Sequence, residues 1–186
     1  MIKGFFFDLD GTVVDTHRAN FLAYQRALQD VGVKIDFNDF KQTIGSAAKS
    51  FLPILAPGLQ QADYKLIVDH KAIYYREVML HTTANQEILQ FIKDIKNTCQ
   101  VALVTTAKTK NVEAVLGHHK LGGLFDCVVT QEDVKELKPH PEAYLRALRL
   151  TGLKPKEAVA FEDSESGVAA AKAAGIPVIT IKDFWL

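Results

Sequence analysis

The chain has 186 residues, 48% of them hydrophobic and 24% charged, which suits one globular domain carrying at most an inserted piece. Lys+Arg and Asp+Glu both number 22, a balance that argues against a chain built mainly to hold nucleic acid or an anionic membrane surface. No stretch approaches the ~20 apolar residues that a bilayer span requires, and the apolar run at the N-terminus is too short for a signal peptide and is interrupted by Asp8 and Asp10. A cytoplasmic protein with neither nucleic acid nor membrane as partner is therefore expected, with a monomer as the default.

Gly4-Phe5-Phe6-Phe7 is a continuously apolar run that stops at Asp8. That pattern predicts a strand buried on both faces and ending at a polar edge. From about Val14 to Thr82 the pattern turns helical. Phe21, Tyr24, Leu28 and Val31 mark a first helix closed by Gly32, and Tyr64, Ile67, Val68, Lys71, Tyr75 and Val78 mark a long one. Pro53, Pro57 and Gly58 punctuate the middle. Strand-like and helical patterns alternate beyond this region. Val101-Ala102-Leu103-Val104, Cys127-Val128-Val129, Ala158-Val159-Ala160-Phe161 and Val178-Ile179-Thr180-Ile181 read as strands. Ile88, Leu89, Ile92 and Ile95 share one helical face, as do Val112, Val115 and Leu116. Pro141 opens a helix that Gly152 stops, and Ser164 caps one that ends at Gly175.

Such alternation predicts an α/β fold: a doubly wound, Rossmann-like parallel sheet covered by helices. The expected division is a core of residues 1–13 and 83–186, with an inserted α-helical lid over 14–82. Cys99 and Cys127 form no CxxC pair, so reduced, buried thiols are expected rather than a zinc or redox site.

In an open parallel sheet, ligands gather at the C-terminal edge of the strands. Four stretches bring Asp8, Asp10, Thr105, Lys138, Glu162 and Asp163 to that edge. Two carboxylates ~4 Å apart repel by about 4 kcal/mol at an effective dielectric of 20. A hard divalent cation relieves such repulsion, and an all-oxygen set favours Mg²⁺. An oxygen nucleophile, an acid/base, a metal, a lysine and a hydroxyl are the parts of phosphoryl transfer through a covalent intermediate.

The chain resembles a known family at four places in order. DLDGTVVDT from Asp8 to Thr16, VALVTT from Val101 to Thr106, LKPHPEAY from Leu137 to Tyr144 and AVAFEDSESG from Ala158 to Gly167 are similar to the four motifs of the haloacid dehalogenase-like hydrolases. Within that family the resemblance is to helically capped members, the phosphoglycolate phosphatases and beta-phosphoglucomutase-like phosphatases. It implies that Asp8 attacks phosphorus and that Asp10 protonates the leaving oxygen and later activates water. It also implies that Mg²⁺ is held by Asp8, the backbone carbonyl of Asp10, Asp163 and Glu162, the last directly or through water. Thr105, the Thr106 backbone and Lys138 would hold phosphate, and Gly45 and Lys49 would meet substrate from the cap. The implied substrate is a small phosphorylated metabolite.

Asp10 separates the chemistries of the family. Dehalogenases and phosphonate hydrolases lack an acid there, whereas the leaving alkoxide of a phosphate ester needs a proton. The alternative is a sugar-phosphate mutase. Mutases carry a histidine where this chain has Asn20 and an arginine where it has Lys49, which favours hydrolysis. A phospho-receiver uses similar residues, but on different strands and without a cap. Two local departures from the family pattern are Ala84-Asn85-Gln86-Glu87, in place of a proline-glycine turn, and Leu137, in place of a glycine. Asp15 either caps the first cap helix or bridges to the hinge. Ser164 reads equally as a helix cap and as a site residue. His118-His119 reads as a solvated turn rather than a metal pair, since adjacent helical residues do not face together. Tyr64, Tyr74 and Tyr75 read as packing, and Phe184-Trp185 is expected against the body.

Overall fold

The computed structural model describes residues 1–44, 46 and 48–182, so Gly45 and Phe184-Trp185 lie outside the described residues. Seven strands and eight α-helices are assigned among them. Five strands form one parallel sheet in the order β5-β4-β1-β6-β7. These are β1 (Gly4–Phe7), β4 (Gln100–Val104), β5 (Cys127–Val129), β6 (Ala158–Glu162) and β7 (Val178–Thr180). The chain builds outward from β1 through β4 to β5, then returns to β1's other side with β6, so the order reverses beside β1. That reversal opens a crevice at the strands' C-terminal ends. The expected α/β architecture is present.

Why β1 sits centrally follows from its side chains. Successive residues of a strand point to opposite faces, so a run of phenylalanines supplies both. Phe5 and Phe7 join Phe91 and Phe161, with Phe7 stacked on Phe161 at 4.8 Å between centroids. Phe6 packs into a second cluster with Ala102, Val104, Ala160 and Tyr144. The sheet is flanked by α5 (Gln86–Ile95), α6 (Thr109–His118), α7 (Glu142–Thr151) and α8 (Glu165–Ala173). Gly152 ends α7 in the left-handed region at φ 69°, a conformation that costs glycine no Cβ clash.

The chain divides into two compact units, residues 1–15 with 84–186 and residues 16–83. Two short strands, β2 (Val14–Asp15) and β3 (Thr83–Ala84), pair where the chain passes from one unit to the other. The second unit is helical, with α1 (His17–Gln29), α2 (Phe37–Lys41), α3 (Ala48–Leu55) and α4 (Gln61–Glu77). Its core holds Phe21, Tyr24, Leu28, Phe40, Phe51, Leu52 and Ile67. Lys71 is buried among these helices, with its ammonium 3.9 Å from the Tyr75 ring centroid and 5.2 Å from that of Tyr24. Tyr64 donates to the Ala56 carbonyl, Tyr74 donates to Asp30, and Tyr75 is buried, so all three tyrosines pack or bond within this unit.

Several local expectations change. Thr16, not Asp15, occupies the N-cap of α1, because Asp15 is still paired as the last residue of β2. Pro53 lies inside α3 rather than punctuating a loop. The bond it cannot make would reach the carbonyl of Lys49, an exposed residue whose backbone water can serve instead. Cys99 and Cys127 are free thiols, but half-buried rather than buried. His118 and His119 close α6 with rings 4.9 Å apart. No helix among the described residues is long and apolar enough to cross a membrane.

Candidate active site

Strand register assembles the site. Phe7 of β1 stands opposite Leu103 of β4 and Phe161 of β6. The next residue of each chain segment, Asp8, Val104 and Glu162, therefore arrives at one level of the sheet's C-terminal edge. A single ammonium ties the three together. Lys138 Nζ donates to Asp8 Oδ1 at 2.6 Å, to the Val104 carbonyl at 2.8 Å and to Glu162 Oε1 at 2.5 Å. These bonds use all three protons of a lysine ammonium. The Lys138 side chain is 2% exposed and that of Glu162 0%, so the pairing operates away from bulk water.

The acidic loop after β6 completes the cluster. Carboxylate oxygens of Asp8, Glu162 and Asp163 lie within 4.8 Å of one another. Thr12, buried in the turn after Asp10, donates to Asp163 Oδ1 at a long 3.5 Å. That turn is tight: the Leu9 carbonyl accepts from the N–H groups of Val13 and Val14, and Gly11 adopts φ 86°. Asp10 is half-buried within it.

Burial pushes the Asp8 carboxyl well above its ordinary range; Lys138 opposes this, while Glu162, Asp163 and Asp10 add to it. Asp163 is pushed up to about 7, first by burial and then by Glu162. Burial alone would lower Lys138, but the Asp8 and Glu162 carboxylates outweigh it and hold the ammonium above the usual lysine range. Three crowded carboxyls facing one ammonium leave excess negative charge among hard oxygen donors. That donor set fits a hard divalent cation.

The remaining expected residues fall as follows. Thr105 follows β4, next to β1; its N–H donates to the Val129 carbonyl and its Oγ1 accepts from the Ala107 N–H. An accepting hydroxyl still has its own proton to donate. Thr106 is half-buried beside it. Lys49 is exposed on α3, in the helical unit. Ser164 caps α8 by accepting from the Gly167 N–H at 3.1 Å, and its hydroxyl also stands 3.5 Å from Glu162 Oε2.

Three residues escaped the sequence reading. Tyr144, fully buried at the start of α7, donates to Glu162 Oε1 at 2.5 Å. Nothing in its helical spacing distinguishes it from ordinary core. Thr12 lies within the first motif, where the sequence alone assigns it no partner. Asn85, in the departure from the usual proline-glycine turn, caps α5 by accepting from the Ile88 N–H and donates to the Thr12 carbonyl, both at 3.2 Å. Asparagine before an apolar helical face was the available signal.

The profile of the haloacid dehalogenase-like hydrolases matches residues 5–181. The phosphorylated carbohydrates phosphatase of Thermotoga maritima is 33% identical over 175 residues, 91% of this chain and 80% of that protein. Fructose-1-phosphate phosphatase YqaB of Escherichia coli is 28% identical over 181 residues, 96% of each chain. The crystal structure of CbbY from Rhodobacter sphaeroides in complex with phosphate superposes with a TM-score of 0.87 at 27% identity, covering 99% of this chain and 88% of that one. On a match running almost from end to end, the chain belongs to the haloacid dehalogenase-like hydrolase family.

Proposed function

We propose that the protein is a Mg²⁺-dependent phosphatase of small phosphomonoesters, sugar phosphates foremost, working in the cytoplasm through a phosphoryl-aspartate on Asp8. The observation that carries this reading is the Asp8–Lys138–Glu162 linkage beside Asp163: a buried, oriented carboxylate within a donor set suited to a hard cation. The names of the Thermotoga and Escherichia relatives support the substrate class.

In the first half-reaction an Asp8 oxygen bonds to phosphorus as the ester P–O bond breaks, and Asp10 gives its proton to the departing alkoxide. In the second, water attacks the phosphorus of the acyl phosphate. Its proton passes to Asp10, and orthophosphate leaves with Asp8 restored as carboxylate. Lys138 orients Asp8 and, on exchanging one of its three bonds, takes up a phosphoryl oxygen together with Thr105 and the Thr106 backbone. Asp8, Asp163, the Asp10 carbonyl and Glu162, the last directly or through water, would hold Mg²⁺. The ion supplies charge neutralisation of the dianionic ester and of its transition state. Residues 1–13 with 83–186 form the catalytic core in this reading. Residues 14–82 would be the cap, with Gly45 and Lys49 as its candidate substrate contacts.

The mutase reading is not favoured: Asn20, where mutases carry histidine, has its amide committed to Thr16 Oγ1 at 3.1 Å. The deciding experiment measures phosphate release from a broad panel of phosphomonoesters with Mg²⁺ and with chelator. Turnover that needs Mg²⁺ and vanishes in Asp8→Asn is expected. A purified, folded protein inert toward the whole panel would refute the reading.

A further inference from the structure

We propose that Tyr144 is a positioning residue of this site, whose hydroxyl sets how the Lys138 ammonium is shared between Asp8 and Glu162. The inference rests on the phosphatase reading above and deepens it.

Tyr144 is 0% exposed on the inner face of α7, in a cluster of alanines, valines and Phe6. Packing alone would be served by phenylalanine. A buried phenol hydroxyl needs a partner, and this one finds Glu162 Oε1 at 2.5 Å. The same oxygen accepts from Lys138 Nζ at 2.5 Å. Two strong donors thus converge on one carboxylate oxygen buried from bulk solvent.

Glu162 has little room to shift away from either donor. A β-carbon on Gly167 would overlap its carboxylate, so the α8 backbone walls it on that side. Ser164 Oγ faces Oε2. With the carboxylate crowded on that side, the quantity freer to change is the placing of the ammonium. The tyrosine hydroxyl takes up part of the negative charge on Oε1. Without it, Oε1 draws Lys138 more strongly, and the ammonium leans away from Asp8 and from any phosphoryl group Asp8 carries. Charge-assisted hydrogen bonds in such surroundings are strong enough for one donor to tilt this balance.

The ring is a separable contribution. Lys138 Nζ lies 5.2 Å from the Tyr144 centroid, and phenylalanine keeps that contact and the packing volume. Tyr144→Phe therefore isolates the hydroxyl.

The test is a double-mutant cycle of Tyr144→Phe and Glu162→Gln in the full chain with Mg²⁺. It reads kcat, KM, melting temperature and the affinity for orthovanadate, a mimic of phosphorus in transit, by calorimetry. Tyr144→Phe is expected to lower kcat about tenfold with KM changed less than twofold, and to weaken vanadate binding about tenfold. In the Glu162→Gln background the same change is expected to alter vanadate affinity less than twofold, because the hydroxyl acts through Glu162. If Glu162→Gln does not fold, Glu162→Asp replaces it, since one methylene less withdraws the oxygen from the phenol. A lowered melting temperature with kcat and vanadate affinity intact would overturn the proposal and leave a structural role. Equal losses in both backgrounds would overturn it too. Wild-type turnover alongside an unaffected Tyr144→Phe sinks this inference alone, whereas a wild type without turnover sinks the functional reading and this inference together.

Discussion

The α-carbon of Gly167 lies directly against the carboxylate of Glu162, leaving no room for a β-carbon. Glu162 in turn holds Lys138, and Lys138 holds Asp8. A side chain at residue 167 therefore reaches Asp8 through two intermediaries. Gly167→Ala is expected to cost about 2 kcal/mol of stability by overpacking. Turnover should fall as well, because Glu162 must move to admit the methyl. Thermal melts and kcat on one preparation check both, and a variant with wild-type values for each would show that the contact yields freely.

Removing the ammonium should be costlier. Lys138→Met leaves the Asp8 and Glu162 carboxyls buried, with side chains 10% and 0% exposed, and without their shared cation. A loss of about 3 kcal/mol at neutral pH is expected, shrinking under acid as the Asp8 carboxyl, already raised by burial, takes up a proton. Denaturant titrations at neutral and acidic pH measure the difference. An equal loss at both would mean that charge is not the cause.

The Asp163 carboxyl, pushed up to about 7, should make the proposed response to Mg²⁺ pH-dependent. A carboxyl raised on folding binds its proton more tightly in the native state than in the unfolded chain. Its contribution to stability is complete below the ordinary value of 3.8 and is lost as pH climbs through about 7. Asp8 is raised in the same direction. Without divalent cation, these groups should lower the melting temperature across that window. A cation competes with the proton for the same oxygens, so the melting-temperature gain from Mg²⁺ should grow from acid toward neutral pH. Melts with Mg²⁺ or chelator across the window test this, and a gain independent of pH would contradict it.

Asn85 joins the start of α5 to the turn after Asp10. Its side chain is buried, accepts from Ile88 and donates to the Thr12 carbonyl. Asn85→Ala removes a helix cap and orphans a buried carbonyl, at an expected cost of about 2 kcal/mol. Chemical denaturation reads it directly. A change under about 0.5 kcal/mol, the range of an ordinary surface substitution, would place both bonds among the dispensable ones.

Much of this molecule could be read from its chain alone. An apolar run that alternates nothing, broken at once by acids and glycine, prescribes a doubly buried strand with charge at its end, because neither a surface strand nor a short helix would tolerate Phe5-Phe6-Phe7 before Asp8. Repeating that pattern with helical segments between leaves a parallel sheet as the way to bury every run. The edge bearing Asp8, Thr105, Glu162 and Asp163 follows from that topology. What needed three dimensions was every relation between residues distant in sequence. The reach of Lys138 across three strands depends on the register of β1 with β4 and β6 and on where the loop before α7 sets its backbone. Tyr144 and Gly167 occupy positions whose helical spacing satisfies packing equally well with or without a partner. Asp15 lost the cap to Thr16 because a strand pairing claimed it first. Local pattern reports which face of an element is buried, since burial repeats with the element's own period. Which buried polar atom meets which has no period at all, and only the packed chain decides it.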